Sequence, residues 1–358
     1  EQLEEYLEKE KCRVTAHIHD DVMRIDYDYF IQDGPYKPSY WQAASPQEKD
    51  CYLIYIYGPS FLASKPPFFK GDFPFFPGAL EKKLSGIWGE NFKVINFGME
   101  GLDSFDIKEI IKATVEARAP DLAIYYDLSA SDFECAYFAN IKCNFDLARN
   151  SLRSLGRLFI FKRPPKIGNL NKFTDWFLRE SVEPRLINFA QKMGLITIPE
   201  EPFLGYNMLI FNHYKENLHT AISFLRKKNI PFVIMTSLSN LEARPYGIHN
   251  ITDKYYFQGM KERDYLKRIN YLTLAKDSEI FSGELVSKSF VYAFLKNLNE
   301  RGVYVFDLYK LLEDKGFEFN YKNFYDYGHM NPYSHDLIAE YLAEFLSQNE
   351  DISSGFKR

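Results

Sequence analysis

The chain of 358 residues has few cysteines, no cluster of basic residues and no long apolar run. Its four cysteines contain no Cys-x-x-Cys pair, and no His/Cys set has the spacing of a metal site. We therefore expect no metal and no cofactor. A formal net charge of −5 without a basic run argues against a nucleic-acid partner. Because no apolar run approaches the ~18 to 20 residues of a membrane-spanning helix, no transmembrane segment is predicted.

What the chain does have is five short runs of β-branched and aromatic residues. They are YLIYIY (52–57), FKVINF (92–97), DLAIYY (121–126), PFVIMT (231–236) and VYVFDL (303–308). Their hydrophobicity is continuous rather than alternating, which is typical of strands buried on both faces, as in a parallel sheet. Helical patterns separate the runs. The alternation predicts a doubly wound α/β sheet.

Two stretches interrupt this alternation. Residues 1–50 are interpreted as an N-terminal extension, a charged helix followed by a possible edge hairpin. Residues 51–350 are interpreted as one α/β domain, with a helical insertion at about 140–206 of the kind that often shapes a substrate pocket. The chain begins with Glu1 and a charged segment, EQLEEYLEKEK. From these two features we expect an extracytoplasmic protein, periplasmic or secreted or anchored, whose anchor or signal has been removed. A cloning tag, a plain N-terminal helix and a cytoplasmic location are the alternatives.

Residues suited to chemistry follow the predicted strands. Ser60 comes directly after the first strand, where open α/β sheets bind ligands; it is either a nucleophile or a helix N-cap. Gly98 and Gly101 follow the second strand, and a turn there either donates backbone N–H groups to an oxyanion or is only a flexible loop. Small polar residues follow the third strand. Asp326 and His329 precede an amphipathic helix.

Taken together, these segments resemble the conserved blocks of the SGNH hydrolases, also called GDSL-type lipases and esterases. The similar segments are YIYGPSFLAS, VINFGMEGLDS, PDLAIYYDLSASD and FYDYGHMNPYSHDLIAEYL, and the resemblance spans roughly residues 50–135 and 210–346. The last segment is the most specific, with Asp-x-x-His ahead of a helix. On this resemblance and the strand pattern we expect a three-layer α/β/α sandwich whose five parallel strands have the flavodoxin-like order 2-1-3-4-5.

The resemblance assigns a role to each matching residue. Ser60 is the nucleophile, His329 is the general base that deprotonates it, and Asp326 orients His329. The backbone N–H groups of Ser60 and Gly101 form the oxyanion hole. This is the acyl-transfer arrangement in which an imidazole activates a weak hydroxyl.

The chain departs from the family at two positions. Pro59 stands where the family usually has Asp or Gly. The family's Gly-x-Asn-Asp appears here as Ser129-Ala130-Ser131-Asp132, so the amide donor of the oxyanion hole is absent. Ser131 takes its place as the third member of the predicted hole. Because loss of one such donor costs on the order of 10²–10³ in turnover, the departure is compatible with a slow enzyme, with a rearranged oxyanion hole or with one that has lost its function.

The predicted function is a serine ester hydrolase that removes an O-acyl group, such as acetyl, from a carbohydrate or a small ester. Two alternatives remain open: an acyltransferase on a surface glycan that uses the same serine, and a binding or scaffold protein that kept the fold and lost the activity. Asn240 and Arg244 are candidate contacts to an anionic or sugar substrate, although a loop held by its own polar groups is the favoured interpretation of both. His335 is expected to cap or pack near the final helix.

Overall fold

A computed structural model of the chain describes residues 51–59, 62, 76–89, 92–98, 103–127, 129–130, 132, 204–243, 250–278, 288–325 and 327–357. Its centre is a five-stranded sheet with the order β2-β1-β3-β4-β5, in which every neighbouring pair is parallel. The strands are β1 Tyr52–Tyr57, β2 Phe92–Asn96, β3 Leu122–Tyr126, β4 Phe232–Met235 and β5 Val303–Phe306. The predicted strands, their direction and their order are confirmed.

Burial explains why the apolar runs become central strands. All five residues of β3 are buried, as are the last five of β1, so both faces of these strands are covered. The register places Ile54 of β1 beside Val94 of β2 and Leu122 of β3. Edge strand β5 is less buried, with only Phe306 fully covered. This burial pattern is that of a parallel sheet between helical layers.

Helices connect the strands in the described part of the chain. They are α1 Phe76–Trp88, α2 Ser104–Ala117, α3 Leu204–Lys227, α4 Asn250–Lys261, α5 Tyr265–Ser278, α6 Ser289–Lys296, α7 Leu308–Asp314, α8 Pro332–Gln348 and α9 Glu350–Ser353, with a 3₁₀ turn at Ser354–Lys357. None of these helices is long and apolar enough to span a membrane.

The helices cover both faces of the sheet. Successive side chains of a strand point to opposite faces. Tyr57 of β1 reaches α2, where its hydroxyl is 2.8 Å from Thr114 Oγ1. Tyr52, on the opposite face of β1, packs edge-on against Phe356 of the C-terminal 3₁₀ turn, with ring centroids 4.8 Å apart. The layers are therefore α/β/α.

A capping box fixes the start of helix α2. Asp103 is the N-cap, and its side chain accepts hydrogen bonds from the backbone N–H groups of Phe105 and Asp106. The side chain of Asp106 in turn accepts from the backbone N–H of Asp103 at 3.2 Å, which completes the capping box. These reciprocal bonds fix the first turn of α2 at the end of the loop that leaves β2.

Helix α8 buries part of the face that its sequence pattern predicts. The pattern places Leu337, Ile338, Tyr341, Leu342 and Phe345 on one apolar face; Ile338 and Leu342 are buried, whereas the other three are only half-buried. The rest of the buried stripe includes Ser334, His335 and two alanines. The pattern missed these positions because alanine and polar residues carry little hydrophobic signal.

The chain divides into two compact units. The larger comprises residues 25–132, 208–243 and 283–358 and contains the sheet. The smaller comprises 1–24, 133–207 and 244–282, and its described residues are 204–207 and 250–278.

Within the smaller unit, α4 and α5 pack closely against each other. A Cβ on Gly259 would lie 2.7 Å from Leu272 Cδ2, so the two helices cross at a glycine. The hydroxyl of Thr252 donates to the carbonyl of Ser278 at 3.1 Å. Sequence reasoning did not predict this helix pair. The predicted extension at 1–50 lies outside the described residues, as does the insertion apart from the first turn of α3.

Candidate active site

The segment after β1 is fixed on both sides of Ser60. Ser60 itself lies outside the described residues. Before it, Gly58 packs so tightly that an added Cβ would stand 2.7 Å from Leu62 Cδ1 and 3.1 Å from Tyr126 Cβ. After it, the backbone N–H of Leu62 donates to the carbonyl of Pro59 at 2.9 Å. The residues that flank the serine are thus joined to each other and to the end of β3.

Asn96, the last residue of β2, ties this segment to the loop that follows β2. Its amide donates to the carbonyl of Leu62 at 2.5 Å, and its side-chain oxygen accepts from the N–H of Gly98 at 2.9 Å. The side chain is buried, so both bonds are shielded from water. Gly98 also contacts Leu62 directly, and a Cβ there would overlap the Leu62 side chain. The segments after β1 and β2 are therefore in direct contact.

Asp127, the first residue after β3, is buried and accepts four hydrogen bonds. The donors are the N–H of Ser129 at 2.9 Å, the hydroxyl of Ser129 at 3.1 Å, the hydroxyl of Tyr214 at 2.9 Å and the hydroxyl of Ser237 at 2.9 Å. Burial, together with the charge of Asp127, raises the pKa of the Tyr214 hydroxyl, which therefore stays a donor. The carboxylate anchors the loop after β3 to α3 and to the loop after β4.

A second buried carboxylate, Asp132, holds the other end of the same loop. Its two oxygens accept from the N–H and from the hydroxyl of Ser104, the first residue of α2; the N–H bond is 3.1 Å long. Asn217 of α3 donates its amide to the Ser104 hydroxyl oxygen at 2.9 Å. Burial, followed by the charge of Asp103, raises the pKa of Asp132.

His329 lies in a tight hairpin before α8 and is half-buried. Phe324 and Met330 form an antiparallel bridge, and the carbonyl of His329 accepts from the N–H of Tyr325 at 2.8 Å. The ring of Tyr327 lies 6.0 Å from the imidazole. Asp326, the predicted partner of His329, lies outside the described residues. The backbone of the histidine is thus fixed by local hydrogen bonds.

The loop after β4 connects this hairpin to the sheet. The N–H of Asn240 donates to the carbonyl of Tyr327 at 2.8 Å. Two residues earlier, the N–H of Leu238 donates to the hydroxyl of Tyr126, the last residue of β3, at 2.9 Å. Since Tyr126 also contacts Gly58, packing and hydrogen bonds run without a break from the residues beside Ser60 to the hairpin of His329.

His335 packs beneath the hairpin, as its sequence position suggested. It is buried in the first turn of α8. Burial, and secondarily the nearby His329, lowers its pKa to about 3, so the ring is neutral at ordinary pH. The structure thus places His335 in the first turn of α8, as expected.

Asn240 makes the local contacts that a self-supporting loop requires. Its side-chain oxygen accepts from the N–H of Glu242 at 3.0 Å, and the residue is almost fully buried. This geometry favours the simpler interpretation of Asn240, while its role as a substrate contact stays a prediction. Arg244 lies outside the described residues.

Of the predicted catalytic and oxyanion-hole residues, His329 is the one that the structure describes. Ser60, Gly101, Ser131 and Asp326 all lie outside the described ranges. Among the residues that the structure describes, no group of three or more His, Cys, Asp or Glu side chains is arranged to hold a metal.

Sequence reasoning missed the polar side chains that join the loops: Asn96, Asp127, Tyr214 and Asn217. One signal was available, because Asn96 is a polar residue that directly follows the apolar pair Val94 and Ile95 in β2.

The chain is similar to several solved structures at low identity. One is a protein described as lipolytic and of the G-D-S-L family from Desulfitobacterium hafniense, with a TM-score of 0.38 and 10% identity over 82% of this chain and 99% of that one. Another is the lipase/acylhydrolase from Enterococcus faecalis, with a TM-score of 0.38 and 13% identity over 83% of this chain and 95% of that one. A third is a catalytic mutant of Axe2, an acetylxylan esterase from Geobacillus stearothermophilus, with a TM-score of 0.35 and 12% identity over 82% and 94%.

No protein-family model and no curated protein matches the chain. The TM-scores of these three structures all lie below 0.5. The fold is a doubly wound α/β sandwich with polar loops at the carboxyl edge of a 2-1-3-4-5 parallel sheet. This strand order is the one that the resemblance to the SGNH hydrolases implies.

Proposed function

We propose that the protein is a serine ester hydrolase of the SGNH type, with Ser60 as nucleophile, His329 as general base and Asp326 as the residue that orients His329. The observation that carries the proposal is the connection at the carboxyl edge of the sheet. The residues that flank Ser60 contact Tyr126, Tyr126 bonds the loop after β4, and that loop bonds the hairpin of His329. Active sites of open α/β sheets lie at this edge.

The proposed reaction has two steps. In the first, Ser60 Oγ attacks the ester carbonyl carbon while His329 accepts the serine proton; the intermediate collapses to an acyl-serine, and the alcohol leaves with the proton from His329. In the second, His329 deprotonates a water that attacks the acyl-serine, which releases the carboxylic acid and restores the serine. The substrate class that we propose is an O-acyl ester, such as an acetyl group on a carbohydrate.

The oxyanion hole of this mechanism combines the N–H groups of Ser60 and Gly101 with the hydroxyl of Ser131. The serine hydroxyl replaces the amide that the family has at this position and reaches less far. Loss of one donor costs on the order of 10²–10³ in turnover, so we expect measurable but slow hydrolysis.

The direct test is hydrolysis of p-nitrophenyl acetate by the wild-type protein and by Ser60→Ala. We expect wild-type turnover above the rate in buffer and none above that rate in the variant. Asp121→Asn, at the opposite end of β3, serves as a control that should retain activity. Equal rates for wild type and Ser60→Ala would overturn the proposal and favour a binding or scaffold protein.

Addition of a sugar alcohol distinguishes hydrolysis from transfer. If the acyl group appears mainly on the sugar rather than in free acetate, the acyltransferase alternative is favoured. An extracytoplasmic location stays a prediction, which the native reading frame upstream of Glu1 would test.

A further inference from the structure

Asp132 joins two loops that the proposed function places on either side of the oxyanion. Residues 99–102, including Gly101, lie between Gly98 and Asp103, at the entrance to α2. Ser131 immediately precedes Asp132 in the sequence. Asp132, in the segment after β3, accepts two hydrogen bonds from Ser104 in the first turn of α2. The hydrogen bonds between Ser104 and Asp132 form one buried link. Gly101 is three residues from Ser104 in the sequence, and Ser131 is next to Asp132.

The link is built from polar groups that are nearly all shielded from water. Asp132, Ser104 and Asn217 are 8%, 4% and 7% exposed. Asn217 donates its amide to Ser104 Oγ, while Lys108 donates to the side-chain oxygen of Asn217 at 3.1 Å. Because Ser104 Oγ accepts from Asn217, its own proton is directed to Asp132. Each side chain therefore has a defined donor or acceptor role.

We propose that Asp132 is a positioning residue that sets the separation of the Gly101 and Ser131 loops and thereby the geometry of the oxyanion hole. This inference rests on the proposed function. The two carboxyl oxygens of Asp132 pair with two donors of one residue, the N–H and the hydroxyl of Ser104. Two such bonds fix the orientation of the two segments as well as their distance. A displacement of about 1 Å at a reacting centre can lower turnover by about 100-fold.

The carboxyl group of Asp132 presents two acceptor oxygens to the two donors of Ser104. An asparagine at position 132 has nearly the same shape but offers one acceptor oxygen and one NH₂ group. If the NH₂ faces the N–H of Ser104, donor meets donor; if it faces Ser104 Oγ, it donates to that oxygen and the serine proton must turn away from position 132. Asp132→Asn therefore breaks or reverses one of the two bonds without opening a cavity.

Other charged groups around the link do not replace this role. Asp103 accepts from the N–H groups of Phe105 and Asp106, Asp127 is occupied by its four donors, and Lys108 is engaged with Asn217 and Glu109. Among the described residues, Asp132 is the carboxylate that connects the loop after β3 to the start of α2.

The test measures kcat and KM for p-nitrophenyl acetate in Asp132→Asn and Ser104→Ala, together with thermal melting. Ser104→Ala removes the hydroxyl bond but keeps the backbone N–H bond to Asp132. We expect kcat to fall tenfold or more in Asp132→Asn and by less in Ser104→Ala, with KM within about twofold of wild type in both.

Two controls separate positioning from loss of stability. Asp121→Asn makes the same chemical change at the amino end of β3, where Asp121 Oδ2 accepts from the N–H of Leu53 at 2.8 Å. Val115→Ala removes core volume from α2, because Val115 is buried in the same helix as Ser104. Asp121→Asn should keep wild-type kcat and KM, and Val115→Ala should melt at a lower temperature with kcat unchanged.

A kcat of Asp132→Asn within twofold of wild type would overturn the inference. An equal loss of kcat in Val115→Ala would also overturn it, if the two variants melt at the same temperature. If Asp132→Asn does not fold, Ser104→Ala decides: a kcat equal to wild type overturns the inference. Failure of the proposed function gives a different result, because then the wild type is inactive or Ser60→Ala is as active as the wild type, whatever happens at position 132.

Discussion

Replacement of Gly98 by alanine should separate the segments after β1 and β2. A Cβ at position 98 would overlap the Leu62 side chain and stand 3.0 Å from Asn96 Oδ1 and 3.1 Å from the carbonyl carbon of Leu62. Two of these three neighbouring atoms belong to Leu62, and one of them is a backbone atom. Either the segment that contains Leu62 or the end of β2 must therefore move by about 1 Å to reach ordinary contact distances. Such overpacking costs about 1–3 kcal/mol of unfolding free energy.

The same movement should reach the proposed nucleophile. Leu62 is two residues from Ser60, and its carbonyl is held by Asn96. A shift of about 1 Å at the reacting centre lowers turnover by about 100-fold. Gly98→Ala should therefore lose both stability and esterase activity.

Urea unfolding and p-nitrophenyl acetate hydrolysis measure the two effects. The matched control is Gly86→Ala, at an exposed helical position in α1 where an added Cβ meets nothing within 4 Å. It should gain about 0.5–1 kcal/mol, since alanine is the better helix former, and should leave turnover unchanged. If Gly98→Ala unfolds at the wild-type urea midpoint and hydrolyses the ester at the wild-type rate, the close contact of the two segments is refuted.

Two further predictions concern stability. Burial, then the charge of Asp103, raises the pKa of Asp106 to about 7 from 3.8. Because the folded-state pKa lies above the unfolded one, its contribution to stability is full below about pH 4 and declines until about pH 7. Asp106→Asn keeps an acceptor for the Asp103 N–H, so chemical denaturation should show a gain of about 2–4 kcal/mol over wild type at pH 8 and almost none at pH 4; equal gains at both pH values would contradict this. Leu342→Ala in α8 should cost about 2–5 kcal/mol because Leu342 is fully buried, whereas Leu337→Ala should cost clearly less; similar urea midpoints for the two variants would argue against the observed stripe.

The strands and their order were predictable because the signal for a central parallel strand is strong. A run such as YLIYIY is apolar at every position, and burial on both faces requires that. Helix α2 was equally clear, since Ile107, Ile111 and Val115 recur at helical spacing in the sequence and all three are buried.

The buried face of α8 was harder to predict from its residues. Ser334, His335 and two alanines occupy buried positions there, and their burial depends on what packs over them rather than on their own hydrophobicity. The helix pair α4 and α5 was missed because its composition is mixed and several of its large apolar residues remain exposed.

For the site, motif spacing identified the candidate residues but not what supports them. Nothing in the spacing of Ser60 and His329 indicates that Asn96 bridges the neighbouring segments, or that Tyr214 reaches Asp127 from a helix 87 residues later in the chain. Such bonds depend on tertiary proximity, which a local pattern does not contain.

The proposed activation of Ser60 by His329 can be tested by labelling with a fluorophosphonate, in which an activated serine oxygen displaces fluoride from phosphorus, followed by peptide mass spectrometry. We expect one label per chain, on the peptide that contains Ser60, and a large loss of labelling rate in His329→Gln. Labelling at another residue, or no labelling of a protein that melts cooperatively, would contradict the proposal.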